Sequence, residues 1–379
     1  MVTRRELVGG LLLLGTKPKA FSLNKSAARV AVAKCHNYGS ELLPTMERMF
    51  DQLGGLGRLV KNRTVAIKLN LTGTATSRMG YRPAGLAQWP HPQVVAATVH
   101  LLDKASARRI RLLESPWSTA DPLEEFLLQA GWDPDMFLAC GKRVEFENTN
   151  WLGSGKKYSR LVVPYGGYIY KAYDFNHSYE DCDVFVSLGK LKEHGSTGIT
   201  LSMKNCFGNL PATIYGEGAG KDEPSLLPQG GRHMLHSGKR QPAGHMEIDP
   251  SSPREEGYRV PRVVVDVVAA RPIDLAIIDG IESMAGGEGP WIRGVRPISP
   301  KLLVAGTNCV ATDSVATALM GFDPMADRGT APFEKCDSTL RLAEAAGLGP
   351  RDLRQIEVVG VPIVEAVCRY RSAETSQMY

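Results

Sequence analysis

An apolar run, Asp183-Val184-Phe185-Val186-Ser187-Leu188, passes without a break into Gly189–Gly208, a stretch that carries Lys190, Lys192, His194, Lys204 and Asn205. A strand that ends in a polar loop and continues into helical spacing requires a strand–loop–helix unit. A chain built from such units closes best as a mostly parallel sheet with helices on both faces. Within the unit, Ser196 or Thr197 is placed to cap the helix and Gly208 to end it. Thr197, Thr200 or Leu201, and Lys204 then share one helix face. The amide groups of a helix start favour an anion, and nearby lysines strengthen that preference.

The rest of the chain repeats the alternation. Arg29–Ala33, Thr64–Asn70, Arg109–Leu113, Asp274–Asp279, Leu302–Ala305 and Ile356–Val359 read as strands. Helical spacing covers Glu41–Leu53, a segment opened by His91-Pro92, Asp121–Ala130, a valine-rich segment from Val260 with Pro261 in its first turn, Val310–Met320 and Ser338–Ala346. Gly141–Tyr179 is rich in short strands, glycine and tyrosine, so a small β-rich insertion is expected there. Residues 209–259 lack periodicity and read as a long irregular loop over the site. The division is a leader over 1–28, one α/β domain over 29–362 and a tail over 363–379.

The leader pairs Arg4-Arg5 with the apolar run Gly9–Gly15, followed by Lys17 and Lys19, the pattern of a twin-arginine export signal. Periplasmic or extracellular location follows from it, and cytoplasmic location if the leader does not function. The run is too short to span a bilayer, and no later segment is long and apolar enough. The net charge of +5 is spread along the chain with no basic, aromatic-interleaved run, which argues against nucleic acid. The seven cysteines form no C-x-x-C pair, so no local iron–sulfur motif is present. Gly153-Ser154-Gly155-Lys156 lacks the spacing of a P-loop, and no nucleophile elbow occurs.

Polar groups gather where strands end: Lys68 and Asn70, Glu114, Lys190 to His194, and Asp279 to Glu288. In parallel sheets such ends meet on one edge and form a site. Lys68, His194, Lys204 and Asp279 are the candidate catalytic groups. Asn70, Lys190, Lys192, Thr197, Asn205 and Gly287 are the candidate binding groups. His91, Glu114, His194 and Asp313 are the candidate ligands of a divalent metal. Asp266 lies off the valine stripe near Arg259 and Arg262, where a surface ion pair accounts for it. His233 and His236 read as stray loop histidines.

Val65–Asn70, His91-Pro92, Lys190–His194, Thr197–Gly208, Asp266, Asp274–Ile281, Gly287 with Gly289-Pro290, and Val304–Thr307 through Asp313 to Pro324 together resemble domain-of-unknown-function family 362 of bacteria and archaea. The resemblance covers about residues 29–325. It implies an α/β fold with one shared site and no settled reaction. Many relatives append a ferredoxin-like domain, whose cysteine motifs this chain lacks. Asn308 stands where relatives often carry Asp, which counts against a metal at that place. The expected function is an enzyme acting on an anionic small molecule. Isomerase-like proton or hydride shuttling, as in nickel-dependent lactate racemases, is one form of it. The alternatives are a noncatalytic binding protein for an anionic ligand or metallocofactor, and a protein served by a redox or envelope partner.

Overall fold

The computed structural model describes residues 28–151, 157–220, 224–225 and 227–371. The expected leader lies outside them apart from Ala28, as does the tail from residue 372. The strands are β1 (Ala28–Lys34), β2 (Thr64–Lys68), β3 (Arg109–Glu114), β4 (Val144–Asn148), β5 (Tyr158–Val162), β6 (Ala172–Asn176), β7 (Val184–Lys190), β8 (Glu193–His194), β9 (Gly198–Ile199), β10 (Leu275–Gly280), β11 (Ser283–Ala285), β12 (Arg296–Ile298), β13 (Leu302–Gly306) and β14 (Ile356–Gly360).

Eight of these strands form one sheet in the order β14-β1-β13-β10-β7-β2-β3-β4. Strand β13 is antiparallel to both of its neighbours, and every other pairing is parallel. This is the mostly parallel α/β sheet that the alternation requires. From β2 the chain moves outward to β3 and β4. From β7 it moves the other way, to β10 and then β13. The order reverses between β2 and β7, which pair from Val65–Val184 to Lys68–Ser187. Connections that diverge from adjacent strand ends leave a crevice outside them.

The two faces bury separate cores. Val65, Ile67, Val184, Val186 and Leu188 face the helices Leu42–Gln52, Pro92–Lys104 and Leu123–Gln129. Ala66, Phe185, Ala276 and Ile278 face Glu256–Ala270, Cys309–Leu319 and Thr339–Ala345. Because side chains alternate along a strand, this parity also decides which polar groups can meet.

Local chemistry shifts two expected boundaries. The valine-rich helix begins at Glu256, so Pro261 lies inside it rather than in its first turn. Proline has no N–H for the carbonyl of Gly257, and the Asp337 N–H fills that place at 2.8 Å. Asp266 on the same helix is fully buried, not at the surface. Its carboxylate accepts from the hydroxyls of Tyr165 and Tyr173 and the N–H groups of Tyr168 and Ile169, at 2.5–2.9 Å. It thereby ties the β5–β6 hairpin, the expected β-rich insertion, to the helix. No helix among the described residues is long and apolar enough to cross a membrane.

Candidate functional site

A cavity of about 610 Å³ opens at the β2–β7 reversal. Its walls are the residues after β2, the start of the loop after β3, the turn His194–Ser196, the segment Lys204–Gly208, residues Gly231–His236, and Glu288 with Trp291 and Ile292. The volume suits a small molecule.

At the floor, Lys68 Nζ pairs with Glu114 Oε1 at 2.5 Å, both side chains nearly inaccessible to solvent. The ammonium also donates to Leu69 O and Asn205 Oδ1. Glu114 accepts in turn from the N–H groups of Leu71 and Ser115. Asn205 Nδ2 reaches Ser187 Oγ at 3.0 Å, locking the following segment to β7. Gly208 closes over the pair: a Cβ there would stand 2.9 Å from Lys68 Nζ.

Four lysines come from these strand ends and the segment after them, and one differs from the others. Lys68 has three acceptors. Lys190 has Asp279, Gly85 O and Tyr38 OH, and Lys192 has Thr72 Oγ1, Gln88 O and Glu288 O. Among the described residues the Lys204 side chain has neither a hydrogen bond nor an ion pair, and its Nζ lies 4.5 Å from the centre of the Phe207 ring. Burial brings its pKa down to about 7; Glu288 opposes the shift, while Arg232 and Lys68 add to it.

Leu201, at φ 48°, turns the chain into the short helix Leu201–Asn205 that presents Lys204. Neither Ser196 nor Thr197 caps this helix. Asp313 does so from the helix Cys309–Leu319, accepting from Ser202 N, Ser202 Oγ and Met203 N. The anion expected at this helix start is therefore the protein's own carboxylate. Burial raises its pKa to about 7 against those donors.

His194 lines the cavity. Its Nδ1 accepts from Ser196 N at 3.2 Å, which leaves the ring proton on Nε2. Burial, followed by Lys204 and Lys192, holds it well below the usual histidine value. His236 has the opposite tautomer, because its Nδ1 donates to Arg232 O at 3.0 Å and leaves Nε2 as an acceptor. Burial lowers it to about 4. Arg232, itself at φ 46°, donates through Nε to Leu210 O and through Nη2 to Ser115, and among the described residues its Nη1 has no hydrogen-bond partner. Asn70 is 6% exposed, and its Oδ1 has no partner.

Other sequence candidates lie elsewhere. Lys190 and Asp279 are register partners, paired at 2.9 Å and fully buried on the opposite face of the sheet from Lys68. Asp279 also holds Tyr38 OH and the N–H groups of His91 and Ile281. The His91 ring stacks on Tyr38, and its Nδ1 accepts from Gln93 N at the start of the helix Pro92–Lys104. Lys192 ties loops together behind the cavity. Thr197 is fully buried, bonded to Ile199 O, and Gly287 packs against Ile292. His91, Glu114, His194 and Asp313 therefore do not converge as one ligand set. No group of three or more metal-ligating side chains was found among the described residues. Conversely, Arg232, to which the sequence assigns no role, and His236, which reads there as a stray loop histidine, both stand on the cavity wall. Their signal was His233 and His236 three apart behind an arginine, on the short helix His233–Ser237.

The model of a family described as a domain of unknown function (DUF362) matches residues 65–318. A thylakoid-associated protein of Synechocystis is 26% identical over 323 residues, covering 85% of this chain and 80% of that protein. A structural-genomics protein from Thermotoga maritima is similar at TM-score 0.35 and 13% identity, over 71% of this chain and 55% of the other. The lactate racemase apoprotein of Thermoanaerobacterium thermosaccharolyticum is similar at TM-score 0.36 and 12% identity, over 72% of this chain and 54% of the other. The chain thus spans little more than half of either solved structure.

Proposed function

We propose, for a chain that belongs to the DUF362 family, that the cavity at the β2–β7 reversal is the active site of an enzyme. It would move a proton on a small carboxylate-bearing substrate, with Lys204 as the acid–base group. The observation that carries this reading is the unpartnered Lys204 amine at the cavity wall. A group with a pKa of about 7 divides between amine and ammonium at neutral pH, the condition under which it both takes and returns a proton.

The supply of unused hydrogen-bonding groups supports an anionic substrate. Glu114 is occupied by Lys68 and two amides, and Glu288 Oε2 accepts from Gly195 N. The spare donors are Lys204 Nζ, Arg232 Nη1 and His194 Nε2, and they match a carboxylate. The spare acceptors are Asn70 Oδ1 and His236 Nε2, which match a hydroxyl beside it, together with Glu288 Oε1 and the exposed Glu256 carboxylate on the same walls. The charge of these two carboxylates opposes an anion and is outweighed only where Lys204 and Arg232 face it. Lys68, coupled to Glu114, keeps the floor fixed while Lys204 titrates.

The test is a titration with lactate, pyruvate and malate, read by the fluorescence of the half-exposed Trp117 and Trp291 and by calorimetry. NMR in D₂O then detects exchange at the carbon next to the carboxylate. Saturable binding that Arg232→Met weakens about tenfold or more, with exchange lost in Lys204→Met, is the expected result. Binding unchanged by Arg232→Met contradicts the carboxylate assignment. Binding without exchange for every acid favours a noncatalytic carrier.

We also infer export from Arg4-Arg5 and the apolar run that follows, residues outside those described. A reporter fused behind residues 1–28 that stays in the cytoplasm of a twin-arginine-competent host contradicts it.

A further inference from the structure

We propose that Lys204 captures the carbonyl carbon of a 2-oxo carboxylate as a Schiff base. This rests on the reading of the cavity as a carboxylate site and adds the substrate's second functional group.

A lysine that adds to a carbonyl must be reachable, must not be tied up by acceptors, and must have access to its neutral form. Lys68, Lys190 and Lys192 fail the second condition, each being held by three acceptors. Lys204 meets all three. It lines the cavity, it has no acceptor among the described residues, and burial, aided by Arg232 and Lys68 and opposed by Glu288, disfavours its charged form.

The cavity also supplies the groups the chemistry needs. Arg232 Nη1 is available to hold the carboxylate. His194, whose Nε2 carries the ring proton, and His236, whose Nε2 is free to accept, both line the cavity. The neutral Nζ forms a bond to the carbonyl carbon as the carbon–oxygen π bond breaks, and the oxygen takes up a proton. That gives a carbinolamine. By then the nitrogen has given up one of its protons. The hydroxyl takes up a proton and leaves as water, the nitrogen lone pair closes the carbon–nitrogen double bond, and the nitrogen releases its second proton to give the neutral imine. One amine and one carbonyl give one imine and one water, with no oxidant or reductant required. Protonated, the imine draws electrons from the adjacent carbon and lowers the barrier to removing its proton.

The experiment treats the intact protein with pyruvate, and separately with phenylpyruvate, in the presence of cyanoborohydride, followed by peptide mass spectrometry. For pyruvate, the expected product is a secondary amine on Lys204 with a mass gain of pyruvic acid less one oxygen atom. It should form more than about a hundredfold faster at pH 7 than on surface lysines, whose amines are almost wholly protonated there. Pyruvamide, which lacks the carboxylate, should react more slowly, and Arg232→Met, which also removes a cation that helps to keep Lys204 neutral, should slow pyruvate more than pyruvamide. The measurement is made on the unmodified protein, so it does not depend on a Lys204 variant that folds. No adduct on Lys204 with either acid, or an adduct spread evenly over surface lysines, overturns the proposal. If carboxylates bind through Arg232 without forming an adduct, the Schiff base fails and the acid–base reading survives. If no carboxylate binds, both fail.

Discussion

Lys68 and Lys204 show how two lysines in one cavity take different parts. Lys68 is neutralised by Glu114 at 2.5 Å and cannot be removed alone without stranding a buried carboxylate. Lys68→Met should therefore cost about 3–5 kcal/mol in urea denaturation, and adding Glu114→Gln should return part of that loss. Lys204 has no such partner, so its burial works against folding while it is charged. Its pKa is about 7 in the folded protein against 10.5 ordinarily. Between those values the unfolded chain binds the extra proton, so stability rises with pH across that window, and the full penalty stands below it. Against a Lys204→Met reference, the unmodified protein should gain stability from pH 6.5 to pH 9.5. A flat difference would mean that the amine is solvated. The residue types of the site were legible in the sequence, but their company was not. Lys190 and Asp279 sit at strand ends as Lys68 does, yet the alternation of Val184, Val186 and Leu188 sends Lys190 to the other face. That parity separates the two groups only once the register of β2 against β7 is known, because both strands are apolar on both faces.

The elements explain how Lys204 is held. A helix of five residues has little stability of its own, and its first amides need acceptors. Asp313 provides them from a neighbouring helix, so a residue far away in sequence fixes the angle of Lys204. Asp313→Ala leaves two buried amides and a hydroxyl unpaired and should cost about 1–3 kcal/mol. It should also move the Lys204 titration toward that of a solvated lysine, which a purely structural loss elsewhere would not do. The alternation of strands and helices was readable because each repeats locally. The described part of residues 209–259 was not, since it is held by single contacts such as Arg232 Nε to Leu210 O and Arg259 Nη1 to Ser252 Oγ. Such contacts leave no period in a sequence. The start of the helix at Glu256 was hidden for a related reason, because Pro261 reads as an N-terminal residue until Asp337 is known to supply the missing donor.

At the scale of the molecule, the site lies where the sheet changes direction between β2 and β7. That position was not available from the sequence, which shows strand ends but not which strands are neighbours. The convergence of Lys68, Glu114, Asn205 and Lys204 depends on β7 pairing with β2 across more than a hundred residues of chain. A ligand that binds only this assembled crevice must stabilise the whole fold, by about 2.7 kcal/mol at a hundred times its Kd. A saturating carboxylate should thus raise the Tm of the intact protein, and less so in Arg232→Met. The central claim is that this fold presents one unpaired, reactive lysine to that crevice. The rate of acetylation of Lys204 by acetic anhydride as a function of pH, read by mass spectrometry beside the surface lysines, tests it most directly. The account predicts a midpoint near 7 for Lys204 and protection by bound carboxylate. A midpoint with the surface lysines, unaffected by carboxylate, would contradict it.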